Sequence, residues 1–121
     1  MCKVRGIGLD LCEIARMEKL LANESFLNKY FTEEEQQYIR GRGQAAAESM
    51  AGIYAAKEAF LKAVGVGIVL PLKDVGIAHT PLGQPCYHLQ GKAAEFGAND
   101  EWMLSITHDA GVAAAVCLWQ K

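Results

Sequence analysis

Glu58 and Lys62 stand four positions apart in a stretch, residues 45–64, that is alanine-rich and free of internal proline. That composition predicts a strong helix ending at Gly65-Val66-Gly67. At 100° per residue, Ala51, Ala55, Glu58, Lys62 and Gly65 share one face, and Met50, Tyr54, Leu61 and Val64 form an adjoining apolar stripe. A carboxylate and an ammonium on a strip of small side chains are able to hold a metal ion and a phosphate. The same spacing also describes an ordinary surface ion pair, worth about 0.2–0.5 kcal/mol, and Lys62 equally suits a helix C-terminus. Lys57 falls on the apolar stripe, where its stem can lie on the core while its ammonium snorkels to solvent.

Asp10 is the second candidate. Residues 3–10, KVRGIGLD, alternate: Val4, Gly6, Gly8 and Asp10 point one way, Arg5, Ile7 and Leu9 the other. This is a strand with one face of bare backbone leading to a carboxylate. Glycine in a strand marks close approach by a ligand or another backbone. The alternative is that Asp10 caps the next helix, with Glu13 completing a capping box. Gly6-x-Gly8 does not extend to a dinucleotide fingerprint, because Leu11 stands where a third glycine is needed. The third candidate is Ser105-Ile106-Thr107-His108 at a strand end. Hydroxyls and an imidazole at the mouth of a hairpin suit phosphate or hydroxyl recognition; a turn histidine without a role is the other reading. Ser105, His108 and Asp109 are too crowded for a hydrolytic triad, and no Gly-x-Ser-x-Gly elbow surrounds the serine. His79 and His88 carry no supporting pattern and read as surface or strand residues.

These residues must be positioned by a short chain. Its 121 residues suit one domain, spanning 1–121. An apolar fraction of 51% excludes disorder. A net charge of −2 makes nucleic acid an unpromising partner. Cys2, Cys12, Cys86 and Cys117 form no Cys-x-x-Cys pair, so reduced thiols are expected instead of a zinc or disulfide site. With no signal peptide and no apolar run of about 20 residues, a cytoplasmic, non-membrane protein is expected. Residues 12–29 show helical recurrence of Ile14, Met17, Leu20 and Leu21. Thr32 and Glu35 form a capping box for a helix stopping near Gly41. Strands are expected at 74–80 and 85–89 around a turn at 81–84, a short helix at 92–96, and strands at 102–107 and 112–119 joined through 108–111. The order predicts an α+β fold, a mostly antiparallel sheet packed against a long helix.

GIGLDLCEIAR at 6–16, YAAKEAFLKAVGVGI at 54–68 and SITHDAGVAAAV at 105–116 resemble three motifs of the holo-acyl-carrier-protein synthases, the short branch of the 4′-phosphopantetheinyl transferases. Gly83-Gln84-Pro85 fits the family's turn, and the order and spacing match over essentially the whole chain. The resemblance implies transfer of the phosphopantetheine arm of coenzyme A to a serine of apo acyl carrier protein, releasing adenosine 3′,5′-bisphosphate. It implies Mg²⁺ and a homotrimer with active sites between subunits. Asp10 and Glu58 match the metal-binding carboxylates, and Lys62 the lysine facing the pyrophosphate. Gly65 matches the helix-ending glycine, and Ser105 and His108 the segment bordering the coenzyme and its 3′-phosphate. The helix after the first strand meets the carrier protein, which points to Arg16, Met17, Lys19 and Leu20. Ile53 departs from the family, whose members often carry a basic residue there; Arg40, Arg42 and Lys57 are the cations able to replace it.

Mg²⁺ takes one or two protein carboxylates plus phosphate oxygens and water, which suits Asp10 and Glu58. Glu58 is placed ahead of His108 as the base for the serine proton. Arg16 and Lys19, three apart beside Met17 and Leu20, suit docking of an acidic helix. Two other functions fit the same residues: a Mg²⁺-dependent hydrolase of nucleotide pyrophosphates, and a non-catalytic coenzyme-binding module.

Overall fold

A computed structural model describes residues 3–65, 69–96 and 99–121. The expected helix-ending residues Val66 and Gly67, the last part of the 54–68 motif and Cys2 lie outside them.

The chain opens with strand β1 (Val4–Glu13), followed by helices α1 (Ile14–Leu20), α2 (Glu24–Tyr30) and α3 (Glu33–Arg40). The long helix α4 (Ala46–Val64) comes next, then the hairpin β2 (Val75–His79) and β3 (Pro85–Leu89), and finally β4 (Glu101–Asp109) and β5 (Val112–Gln120). β5 pairs antiparallel with β1 on one side and β4 on the other, giving the order β1-β5-β4; β2 and β3 form a separate antiparallel ladder. The expected α+β fold is therefore present, with α4 laid across the inner face of the three-stranded sheet. Its buried residues Met50, Ile53, Ala56 and Phe60 join Met17 and Phe31 in the core.

Residues 12–29 are not one helix. β1 runs through Glu13, α1 ends at Leu20, and Asn23 starts α2 by accepting the Phe26 N–H at 3.0 Å. The apolar recurrence belongs to α1 alone; an asparagine side chain that can replace a backbone acceptor restarts the helix. Asp10 sits inside the strand ladder opposite Ala115, so it caps no helix. The last hairpin is tighter than expected, because His108 and Asp109 pair with Ala113 and Val112. Only Ala110 and Gly111 turn, with φ of 51° and 80°, the signature of a type I′ turn whose twist suits the strands. Residues 91–95 form a 3₁₀ turn. The Thr32–Glu35 capping box forms as expected.

Lys57 does not snorkel. Its side chain is 0% exposed, and Nζ lies 2.9 Å from Glu35 Oε1. It also donates to the carbonyls of Leu72 at 3.0 Å and Val75 at 2.8 Å. The other Glu35 oxygen accepts the Ile77 N–H at 2.7 Å. A buried charge needs a partner and a full set of hydrogen bonds, and three elements converge to supply them.

Candidate active site

Gly6 and Gly8 let β1 approach α4 at backbone distance. A Cβ on Gly6 would overlap the Ala63 carbonyl, and one on Gly8 the Ala59 carbonyl. Two residues further along the same face, Asp10 comes level with the helix strip bearing Glu58 and Lys62. Lys62 Nζ lies 2.9 Å from Asp10 Oδ1 and donates to the Leu9 carbonyl at 3.2 Å. The lysine side chain is 57% exposed, so it is open to a ligand from solvent.

Glu58 faces the same cluster. Burial and then the charge of Asp10 push its carboxyl above the ordinary value, against the opposing pull of Lys62, Arg16 and the Tyr54 hydroxyl. A like charge beside a partly desolvated carboxyl raises the cost of ionising it. Tyr54, Glu58 and Lys62 succeed one another at four-residue steps, so the tyrosine belongs to this row as well as to the apolar stripe; that spacing was its signal in the sequence. The Arg16 guanidinium lies 5.3 Å from the Tyr54 ring centroid, which brings α1 to the edge of the site. The Cys12 thiol, buried beside it, is pushed up to about 11, chiefly by desolvation, and stays protonated and unreactive.

Of the other expected residues, Gly65 ends α4 with φ of 125°, its N–H donating to the Leu61 carbonyl at 3.1 Å. Arg16 and Lys19 are exposed on α1. Met17 is 0% exposed and packs in the core. It is corrected from a surface anchor to a core residue, because its helix face is the one turned to α4. Leu20 is half-buried against the same core. Ser105 and His108 do not meet. Strand alternation puts Ser105 on the outer sheet face, while His108 Nε2 lies 2.9 Å from Glu48 Oε1 in the first turn of α4.

A second concavity of about 220 Å³ lies there, with Tyr38, Arg42, His79, His108 and Ile53 in its lining. His79 stacks on Tyr38 at 3.9 Å between centroids with the planes 8° apart; burial, then the charge of Arg42, lowers its pKa from the ordinary value. Nothing in the local sequence pattern had singled out His79 or Tyr38, since the stack joins α3 to the end of β2. Ile53 is 1% exposed at the base of this concavity. Glu48 and Glu58 are ten residues apart on one straight helix, roughly 15 Å at 1.5 Å per residue. The two clusters thus lie toward opposite ends of α4.

Among the described residues no group of three or more His, Cys, Asp or Glu is placed to hold a metal. What is present is an acidic pair whose mutual repulsion already raises one member. Mg²⁺ characteristically takes one or two carboxylates and completes its sphere with water and substrate phosphate, so the pair fits that ion and no full protein cage is required.

The chain is a small α+β frame that presents two carboxylates and a lysine on a glycine-lined seam, residue types able to bind a phosphate ester. The chain belongs to the 4′-phosphopantetheinyl transferase superfamily, whose family model matches residues 6–117. It is 38% identical over 121 residues to the holo-[acyl-carrier-protein] synthase of Treponema denticola, an alignment covering 95% of this chain and 97% of that protein. The solved holo-[acyl-carrier-protein] synthase of Helicobacter pylori in complex with coenzyme A is similar at a TM-score of 0.78 and 33% identity, covering 93% of this chain and 98% of that one. The corresponding Neisseria meningitidis structure is similar at a TM-score of 0.83 and 28% identity, with coverage of 98% and 100%.

Proposed function

We propose that this protein, as a single phosphopantetheinyl transferase domain, transfers the 4′-phosphopantetheine arm of coenzyme A to a serine of apo acyl carrier protein and releases adenosine 3′,5′-bisphosphate. The observation that carries the reading is the convergence of Asp10, Glu58 and Lys62 across the β1–α4 seam. The serine oxygen attacks the β-phosphorus. The bond from that phosphorus to the bridging oxygen breaks, and its electron pair leaves on the bisphosphate.

Each residue type suits its task. Glu58, with a raised carboxyl, is the better base of the pair and takes the serine proton. Lys62 carries an exposed ammonium beside the carboxylates and stabilises charge gathering on the departing phosphate. Asp10 holds Lys62 in place by the 2.9 Å contact. Asp10 and Glu58 would hold Mg²⁺, which when bound supplies charge neutralisation on the diphosphate. Gly65 lets the chain turn away at the end of α4. Arg16 and Lys19 offer an acidic carrier a basic edge next to the site.

The split between the two ends of α4 supports a homotrimer in which a neighbour's His108 region completes the site. The outer sheet face supplies a surface for it: Ile7, Leu9 and Leu11 are 64%, 61% and 67% exposed in a row, more apolar area than a strand facing water normally carries. Ser105 opens on this face. Cys12, Cys86 and Cys117 are free thiols, in keeping with a reducing cytoplasm. Among the described residues no helix is long and apolar enough to cross a membrane.

Mass spectrometry of apo carrier protein after incubation with the enzyme, coenzyme A and Mg²⁺ tests the reading. The carrier is expected to gain one phosphopantetheine arm. Coenzyme cleavage with no carrier present would favour pyrophosphate hydrolysis instead, and tight coenzyme binding without either reaction a non-catalytic module.

A further inference from the structure

We propose that Tyr54 is the positioning residue of Glu58: its hydroxyl holds the carboxyl where it can share a divalent cation with Asp10. The inference deepens the reading above and rests on the place that reading gives to Glu58. Tyr54 and Glu58 are successive members of one row on α4, a single turn apart. Helix side chains lean toward the N-terminus, so Glu58 reaches back over the turn that carries Tyr54. Asp10 acts from the other side, where its charge opposes that of Glu58. A long carboxylate repelled from one side keeps its rotamer freedom unless a donor fixes it from the other.

The tyrosine hydroxyl is that donor. It faces the Glu58 carboxyl, and the Arg16 side chain faces the hydroxyl in turn. Both bonds run in one direction, from guanidinium to phenol to carboxylate, and each group gives or accepts as its chemistry allows. The ring that carries the hydroxyl is itself fixed. Phe26, Tyr30 and Phe31 stand 6.0, 6.0 and 6.3 Å away between centroids, with Tyr30 edge-on at 88°. The Arg16 guanidinium carbon lies 5.3 Å from the ring centroid. Aromatic rings following α1 and a cation from α1 thus hold a phenol against α4. A phenylalanine would fill the same apolar space, so packing alone does not call for the hydroxyl. Tyr54 acts through Glu58, as the outer hydrogen-bond partner of a metal-binding carboxylate does.

Titration of the full chain with Mn²⁺ alone, followed by water proton relaxation, reads the carboxyl without coenzyme or carrier. Tyr54→Phe should weaken Mn²⁺ binding about tenfold, the scale set by loss of a ligand's outer hydrogen bond. Its melting midpoint should not change, because the ring stays. In the transfer assay the same variant should lose kcat about tenfold, with KM for carrier and coenzyme held within about twofold. Tyr30→Phe removes a hydroxyl from the same aromatic cluster and should alter neither readout. Unaltered Mn²⁺ affinity in Tyr54→Phe, an equal loss in Tyr30→Phe, or no Mn²⁺ binding in the unaltered protein overturns the proposal. So does a transfer defect carried by KM instead of kcat. Mn²⁺ binding weakened tenfold by Tyr54→Phe, in a protein that modifies no carrier, would sink the transfer reading and leave this one standing.

Discussion

Burial and the neighbouring charge of Asp10 both keep a proton on Glu58 to higher pH than an unfolded chain would. The folded state therefore gains stability from this group below about 4.5, its ordinary value, and loses it as pH rises through the raised folded value. Once ionised, Glu58 weakens the fold. Glu58→Gln should raise the melting midpoint in chelator at pH 7, with the gain vanishing below about pH 4.5, while carrier modification falls roughly 10²-fold. Asp10→Asn should lose transfer to a similar degree. Near-normal transfer in either variant would remove that residue from the pair. Burial likewise lowers the pKa of Lys57, against the pull of Glu35, so its ammonium depends on that partner. Lys57→Met leaves Glu35 charged and buried and strips two carbonyls of their donor, so chemical denaturation should show a loss of about 3–5 kcal/mol, against under about 0.5 kcal/mol for the exposed Lys19→Met.

Between elements, the distance from β1 to α4 decides whether the acidic pair exists. Gly8→Ala would put a methyl group where the Ala59 carbonyl stands. The helix or the strand must move, at about 1–3 kcal/mol of overpacking strain, and Asp10 moves with the strand. We expect a lowered melting midpoint and a fall in transfer that outlasts a return to lower temperature. Gly41→Ala is the matched control: its Cβ would sit 3.5 Å from the Gln37 carbonyl, an ordinary contact, and should change neither. The final hairpin works on the same principle. Because the turn needs only Ala110 and Gly111, the strand ladder reaches His108 and aims its ring at Glu48.

For the whole molecule, the inner sheet face is covered by α4 and the outer face is not. Replacing Leu9 and Leu11 together by Glu would introduce charges that a buried apolar contact cannot solvate. Under the proposed trimer, sedimentation velocity should show the double variant as a monomer, and transfer should be lost although Asp10, Glu58 and Lys62 are untouched. An unchanged trimer would place the interface elsewhere.

Local patterns carried much of this in the sequence. The alternation of β1, the alanine-rich α4, the Thr32–Glu35 capping box and the paired final strands all follow from periodicity and caps, which are properties of a few consecutive residues. The motifs around Asp10, Glu58 and His108 named the family, and their chemistry was readable as residue types. The break at Asn23 was missed, because an apolar period that ends at Leu21 does not show where a side chain offers the backbone a competing bond. Which charges meet was decided only by the folded chain. Asp10 and Lys62 are 52 positions apart and Lys57 and Glu35 are 22, and one-dimensional spacing gives no information about such pairs. Two glycines allow strand and helix to touch, which brings Asp10 to Lys62 beside Glu58; Glu35 and the carbonyls of Leu72 and Val75 hold Lys57 inward, and the tight final hairpin sets His108 against Glu48 near the start of the same helix.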